Sequence, residues 1–175
     1  MPVERIPEWA LTNVDEAAIV CLLARSFDTD FGGRSYFKQR HHLRLVRREA
    51  GKIIGHMAMT FRDVRLGDRL VDVAGLAAVA CDSDHRGTGV ATALLRTAMA
   101  EARASQAQFV LLFGTAGLYA GAGFQPVHNP TTYVEMLGAR TGPVKSEAAE
   151  TLQVLALRDA AWDGGAALDL LGCLF

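Results

Sequence analysis

Two tight turns and one glycine-bearing turn constrain this chain more than any other feature. Leu43–Leu45 and Ile53–Phe61 are apolar runs joined at Gly51-Lys52, and Leu70–Cys81 follows after Gly67-Asp68. Strands joined this tightly must run antiparallel, because parallel neighbours need a long crossover. The spacing therefore predicts a three-strand meander. Directly after it, Val90, Ala91, Leu94, Leu95, Ala98, Met99 and Ala102 recur at helical spacing, and Phe109–Phe113 is a compact apolar strand. Strand, helix and strand in that order predict a parallel unit with a right-handed crossover. A meander feeding such a unit makes a mixed sheet flanked by helices, an α+β architecture of about six or seven strands. Gly75 inside the third strand marks a bulge or a close backbone approach.

The flanks read less sharply. Ile6–Leu11 predicts a first strand, and Asn13-Val14-Asp15-Glu16 resembles a capping box with Asn13 as N-cap of a helix to about Ser26. A second, less periodic helix is expected over Arg34–His42, and a short turn or helix over Gly114–Ala122. Further strands are expected near Phe124–Val127, Thr132–Leu137 and Leu152–Leu157, with a linker loop over Gly138–Ala149 and a helical turn over Ala166–Leu171. The 175 residues fit one domain.

Composition excludes several classes. The net charge of −1 gives no basic field for nucleic acid or an anionic membrane. The basic cluster Arg34–Arg48 lacks the aromatic interleaving of a single-strand binder and reads as a solvated face. Cys21, Cys81 and Cys173 form no Cys-x-x-Cys pair, which argues against a zinc ribbon or disulfide scaffold and fits a reducing cytoplasm. No run reaches the roughly 18 apolar residues of a membrane span, and no signal-peptide pattern opens the chain. His41, His42 and His56 lack partners at metal-ligand spacing, so no metal is expected.

The stretch that carries chemistry is Val79-Ala80-Cys81-Asp82-Ser83-Asp84-His85-Arg86-Gly87-Thr88-Gly89-Val90-Ala91. A strand enters a glycine turn that opens a helix, and a helix N-terminus offers free N–H groups to an anion. Gly87 and Gly89 let a phosphate approach the main chain, and Thr88 is placed to cap the helix. A Walker loop would need Lys-Ser/Thr where Val90-Ala91 stands. A dinucleotide fingerprint would follow the first strand of a parallel unit, whereas this turn follows hairpins and has Thr92 in place of the third glycine.

Arg86-Gly87-Thr88-Gly89-Val90-Ala91 resembles the Gln/Arg-x-x-Gly-x-Gly/Ala pattern of the GNAT N-acetyltransferases. Leu118-Tyr119-Ala120-Gly121-Ala122-Gly123-Phe124 is similar to a second signature of that family, and the resemblance spans about Ile6 to Glu135. It implies a GNAT fold with acetyl-CoA as cosubstrate, its pyrophosphate held at Arg86–Ala91 and its pantetheine arm paired with Val79 and Cys81. It further implies Tyr119 as general acid for the departing thiolate. A packing role for Tyr119 is the alternative, as is a small buried side chain for Cys81 in place of an acyl relay. Many members have a central-strand Glu as base. Leu76–Ala80 has no acid, so the base would come from Glu135, Asp82 or His128, or the amine would arrive neutral.

Within the family, Phe27-Asp28-Thr29-Asp30-Phe31 and Leu118-Tyr119-Ala120 through Gly123-Phe124-Gln125-Pro126-Val127-His128-Asn129-Pro130-Thr131 look most like aminoglycoside 2′-N-acetyltransferases and, more loosely, nodulation N-acyltransferases. That implies a small-molecule amine acceptor, with Asp28, Asp30 and Glu135 as carboxylates for a cationic amino sugar; a solvated acidic loop is the alternative. The apolar stretch Leu168–Phe175 reads as core packing or an apolar acceptor wall, which would suit a longer acyl chain or a hydrophobic amine. A CoA-binding sensor without turnover stays open, and so does a homodimer.

Overall fold

The computed structural model describes residues 2–175. The elements run β1 (Val3–Pro7), α1 (Asn13–Ser26), β2 (Leu43–Glu49), β3 (Lys52–Leu66), β4 (Arg69–Cys81), α2 (Val90–Ala104), β5 (Phe109–Phe113) and α3 (Gly117–Gly121). They continue as β6 (Gln125–Pro126), β7 (Pro130–Leu137), β8 (Arg140–Ala148), β9 (Leu152–Ala156) and β10 (Leu168–Asp169). One sheet joins all ten strands, in the order β6-β9-β5-β4-β3-β10-β7-β8, with β2 on β3 and β1 on β2. The meander β2-β3-β4 is antiparallel and β4-β5 is parallel, as the turn lengths and the intervening helix require. A second parallel pair, β10 with β7, makes the far end of the sheet mixed as well.

Several local expectations are corrected. The first strand ends at Pro7, and a 3-10 turn takes Glu8–Ala10. Helix α1 is capped one residue earlier than expected, by Thr12, whose hydroxyl oxygen accepts the Asp15 N–H at 3.1 Å. Residues 34–42 form bends and irregular backbone, not a helix. Gly138–Ala149 is mostly strand, since Gly138 turns the chain back and β8 pairs with β7 from Arg140 to Ala148. The expected helical turn near the end is the short strand β10.

The basic cluster is also not a solvated face. Arg44 is fully buried and gives Glu8 two charge-assisted bonds, Nε to Oε2 at 2.7 Å and Nη2 to Oε1 at 3.2 Å. Arg40 pairs with Glu8 and Glu16, and Arg48 with Glu4 and Asp15. Cations spread through a loop and a strand thus meet carboxylates from the N-terminal segment, a tertiary relation that spacing does not reveal.

Helix α2 packs on one face of the sheet. Leu94, Leu95, Ala98 and Met99 join Leu45, Met57, Leu76, Val110 and Leu112 in one core. Gly55 lets the helix start approach closely, because a Cβ there would fall 2.4 Å from Val90 Cγ1. On the other face, Ile19, Leu22 and Leu23 of α1 pack on Val46, Ile53 and Ala80. The last third of the chain covers the rest of that face, with Leu168 and Leu170 against Val64, Val73 and Phe109. Fully buried Asn129 ties it down, its amide donating to Asp163 O and Ala166 O at 2.8 Å and its oxygen accepting from Trp162 Nε1 at 2.9 Å.

Candidate active site

The glycine turn is built as an open cradle. After a 3-10 turn at Ser83–His85, Gly87 and Gly89 take left-handed φ of 75° and 84°, which a side chain would strain. Apart from the adjoining residues, no atom of the described residues lies within 4 Å of where a Cβ would sit at either glycine, so the space before the helix is clear. Gly89 is the N-cap of α2 and supplies no side-chain acceptor, leaving the first-turn N–H groups to whatever anion arrives. Thr88 does not cap the helix as expected; its hydroxyl donates back to His85 O at 2.7 Å. Arg86 is exposed and makes no ion pair among the described residues.

Strand β4 breaks its pairing just before this turn. It runs beside β5 only from Val73–Phe109 to Leu76–Leu112, so Ala77–Cys81 continue along β3 with their other edge unpaired by any strand. A bulge sits there, where three steps along β4 from Ala77 to Ala80 oppose two along β3 from Ala58 to His56, and Ala78 has φ 48°. Gly75, read from the sequence as a bulge or a close backbone approach, is not the bulge, which lies three residues on; its missing Cβ makes room for the Phe175 side chain. Buried His56 holds the bulge. Its Nδ1 donates to Ala78 O at 2.8 Å, and its Nε2 faces Arg44 Nη1 at 3.4 Å. Burial first, and then the Arg44 charge, push its pKa down to about 3, so the ring is neutral, as these bonds require.

Val79 and Cys81 pack toward the α2 face. The Cys81 thiol lies 3.6 Å from His85 O, and burial followed by the Asp82 charge raises its pKa. It stays protonated, which weighs against an acyl relay. Tyr119 is buried in the α2 core, its ring edge-on to Phe124 at 5.9 Å, and burial raises its pKa. Its hydroxyl makes no hydrogen bond among the described residues and is not sealed from solvent.

On the opposite face, a cavity of about 310 Å³ opens between the loop after α1 and residues 173–175. Its floor is Leu76, Ala77 and Ala78, beside the bulge. Phe27, Phe31, Phe37, Phe113 and Phe175 give it aromatic walls, and Lys38, Arg40, His41 and Arg62 give it charge and polarity. No acidic residue lines it. A separate cleft of about 470 Å³ lies between α2 and α3, lined by Arg96 and Arg103 on one side and Leu118 on the other.

Residues 10–127 match the acetyltransferase (GNAT) domain family. The chain belongs to that family. As a GNAT member it is an acyltransferase. Its fold is similar to a GNAT family N-acetyltransferase (YhbS) of Escherichia coli crystallised with CoA, at 24% identity and TM-score 0.67 over 97% of this chain and 89% of that one. It is also similar to the ribosomal-protein-S18-alanine N-acetyltransferase of Escherichia coli, at 17% identity and TM-score 0.61 over 91% and 96% of the two chains. None of the curated proteins matches the sequence.

Set on the GNAT sheet, the sequence-derived residues fall into two groups. Val79, Cys81 and Arg86–Ala91 form one continuous strand-to-helix path. The acceptor carboxylates are not gathered with them. Asp28 and Asp30 are exposed, and Asp30 Oδ1 accepts the Gly32 N–H at 2.6 Å. Glu135 pairs with Lys145 at 2.5 Å on β7 and β8. Among the candidate bases, Asp82 pairs with Arg25 at 3.2 Å and His128 is exposed. Reading the sequence missed Lys38, His41 and Arg62. His41 stood out only for lacking metal partners; its Nδ1 lies 3.3 Å from Thr60 Oγ1, and burial, then the Arg44 charge, lower its pKa well below 6.5.

Proposed function

We propose that this GNAT chain works as one domain that transfers an acetyl group from acetyl-CoA to a primary amine of a small molecule by direct attack. One relation carries the reading: the open anion cradle and the aromatic cavity meet at the unpaired, bulged end of β4. The turn at Arg86–Ala91 would hold the pyrophosphate, and Val79 and Cys81 would pair with the pantetheine arm. Arg96 and Arg103 would receive the nucleoside end one or more turns further along α2. The thioester would then lie over β4 with the cavity behind it. The amine attacks the carbonyl carbon and loses its proton to water, the C–S bond breaks, and Tyr119 gives its hydroxyl proton to the thiolate.

No acidic base is required. Lys38 and Arg62 disfavour a further positive charge in the cavity, so the bound amine is driven toward its neutral, nucleophilic form. A cationic amino sugar is the second reading, favoured because Asp28 falls between the lining residues Phe27 and Thr29. Purified protein incubated with acetyl-CoA and a panel of amines tests the activity. Release of free thiol together with an N-acetylated product is expected. Tight CoA binding without product from any amine would leave a CoA-binding sensor, and product only from longer acyl donors would shift the donor.

A further inference from the structure

Burying a cation is costly unless an anion or several acceptors meet it. The cavity holds two such cations with little to meet them. Lys38 has a single hydrogen bond, a long one of 3.4 Å to the Phe175 main-chain oxygen, and burial lowers its pKa. Arg62 donates Nη2 to Cys173 O at 2.5 Å and lies 4.0 Å over the Phe175 ring, while its buried Nε has no partner. No Asp or Glu side chain lines the cavity, and the oxygen beside Lys38 is the carboxyl oxygen of Phe175, the last described residue. Elsewhere the chain pairs its buried arginine, as Arg44 with Glu8 shows. Arg34 and Arg47 also carry a buried Nε without a partner; what sets the cavity apart is that Lys38 and Arg62 line it together with no Asp or Glu side chain in its wall.

We propose that the acceptor is a primary amine that carries its own carboxylate and an apolar or aromatic body, an amino-acid-like molecule. This rests on the acetyltransferase reading above and names the substrate class of the same cavity. The carboxylate would sit between Lys38 and Arg62, and the apolar body against Phe27, Phe31 and Phe113. The amine would then project toward Ala77 and Ala78, where β4 is unpaired. The volume of about 310 Å³ is at the small end for ligand pockets and suits one such molecule better than a multi-ring sugar.

The test compares three probes: phenylalanine, a zwitterion; phenylethylamine, the same body without the carboxylate; and glucosamine, a cationic amino sugar. Binding to the CoA-loaded protein is measured by calorimetry, and acetylation by product mass spectrometry. Binding reports on the cavity even when turnover is absent, so its outcome separates this inference from the activity reading. Phenylalanine is expected to bind about tenfold or more tightly than phenylethylamine, the scale of one charge-assisted contact. Lys38→Gln should erase most of that difference, and Arg62→Lys should keep more of it than Arg62→Gln. Lys38→Gln removes a single long bond and serves where the Arg62 variants fail to fold. Equal binding of phenylalanine and phenylethylamine, or preference for glucosamine, overturns the proposal. So does a phenylalanine preference that survives Lys38→Gln and Arg62→Gln unchanged.

Discussion

The ring of Phe175 lies directly on Gly75: a Cβ built at Gly75 would fall 1.8 Å from Phe175 Cδ1 and 2.4 Å from Cε1. The glycine that interrupts β4 therefore serves a neighbour 100 positions away, and that neighbour closes the cavity wall.

Gly75→Ala should displace the ring and destabilise the protein by about 1–3 kcal/mol, the usual scale for overpacking. Urea unfolding measures it. In a Phe175→Ala background the same change should cost much less, and a purely additive pair would dissolve the contact.

Gly89→Asp should weaken CoA binding about tenfold or more, since it strains a residue at φ 84° and sets a carboxylate where a phosphate would approach. Calorimetry on the folded variant reads it. Unchanged affinity would move the cofactor elsewhere.

Tyr119→Phe should lower kcat about 10²-fold while leaving CoA affinity nearly the same. The raised pKa keeps the phenol protonated at neutral pH, as an acid needs to be. Full turnover in this variant would reduce Tyr119 to a packing residue against Phe124.

Stability should fall in acid, with a sign fixed by His56. Its pKa is about 3 in the folded protein against 6.5 ordinarily, so the unfolded chain binds the extra proton first. The contribution is complete above about pH 6.5 and is lost as pH falls toward 3, by at most about 1.4 kcal/mol per pH unit for one histidine. His41 acts in the same direction. Glu8 adds to the loss at still lower pH: burial opposes its ionisation, yet Arg44 and Arg40 hold its pKa below the usual value. Denaturant midpoints across pH 4–7 check this, and His56→Gln should flatten part of the slope.

What could be read in the sequence was what is local. The turns at Gly51 and Gly67 and the stripe from Val90 to Ala102 fixed the meander and the β-α-β unit, and both stand in the structure. The Arg86–Ala91 turn was legible because its glycines sit beside the helix they serve. The cavity was not, because Phe31 and Lys38, Arg62, and Phe175 come from three distant stretches and meet only across the folded sheet. Residues 34–42 misled for the same reason: with Arg44 consumed by Glu8 and Ser35, this segment is held by side chains and needs no helix of its own. Gly138–Ala149 looked like a linker because an exposed edge hairpin has little apolar alternation to show.

Strand β4 is shared by both halves of the site, but little else is. The cradle belongs to α2 and its turn, whereas most of the cavity wall comes from the loop after α1 and residues 173–175. On the proposed function, substitutions in those two wall segments would retune which amine is admitted without touching the turn proposed to hold the donor. A lineage of such chains could thus diversify its acceptors while its donor chemistry stayed put, and a designer could graft new wall loops onto an unchanged engine.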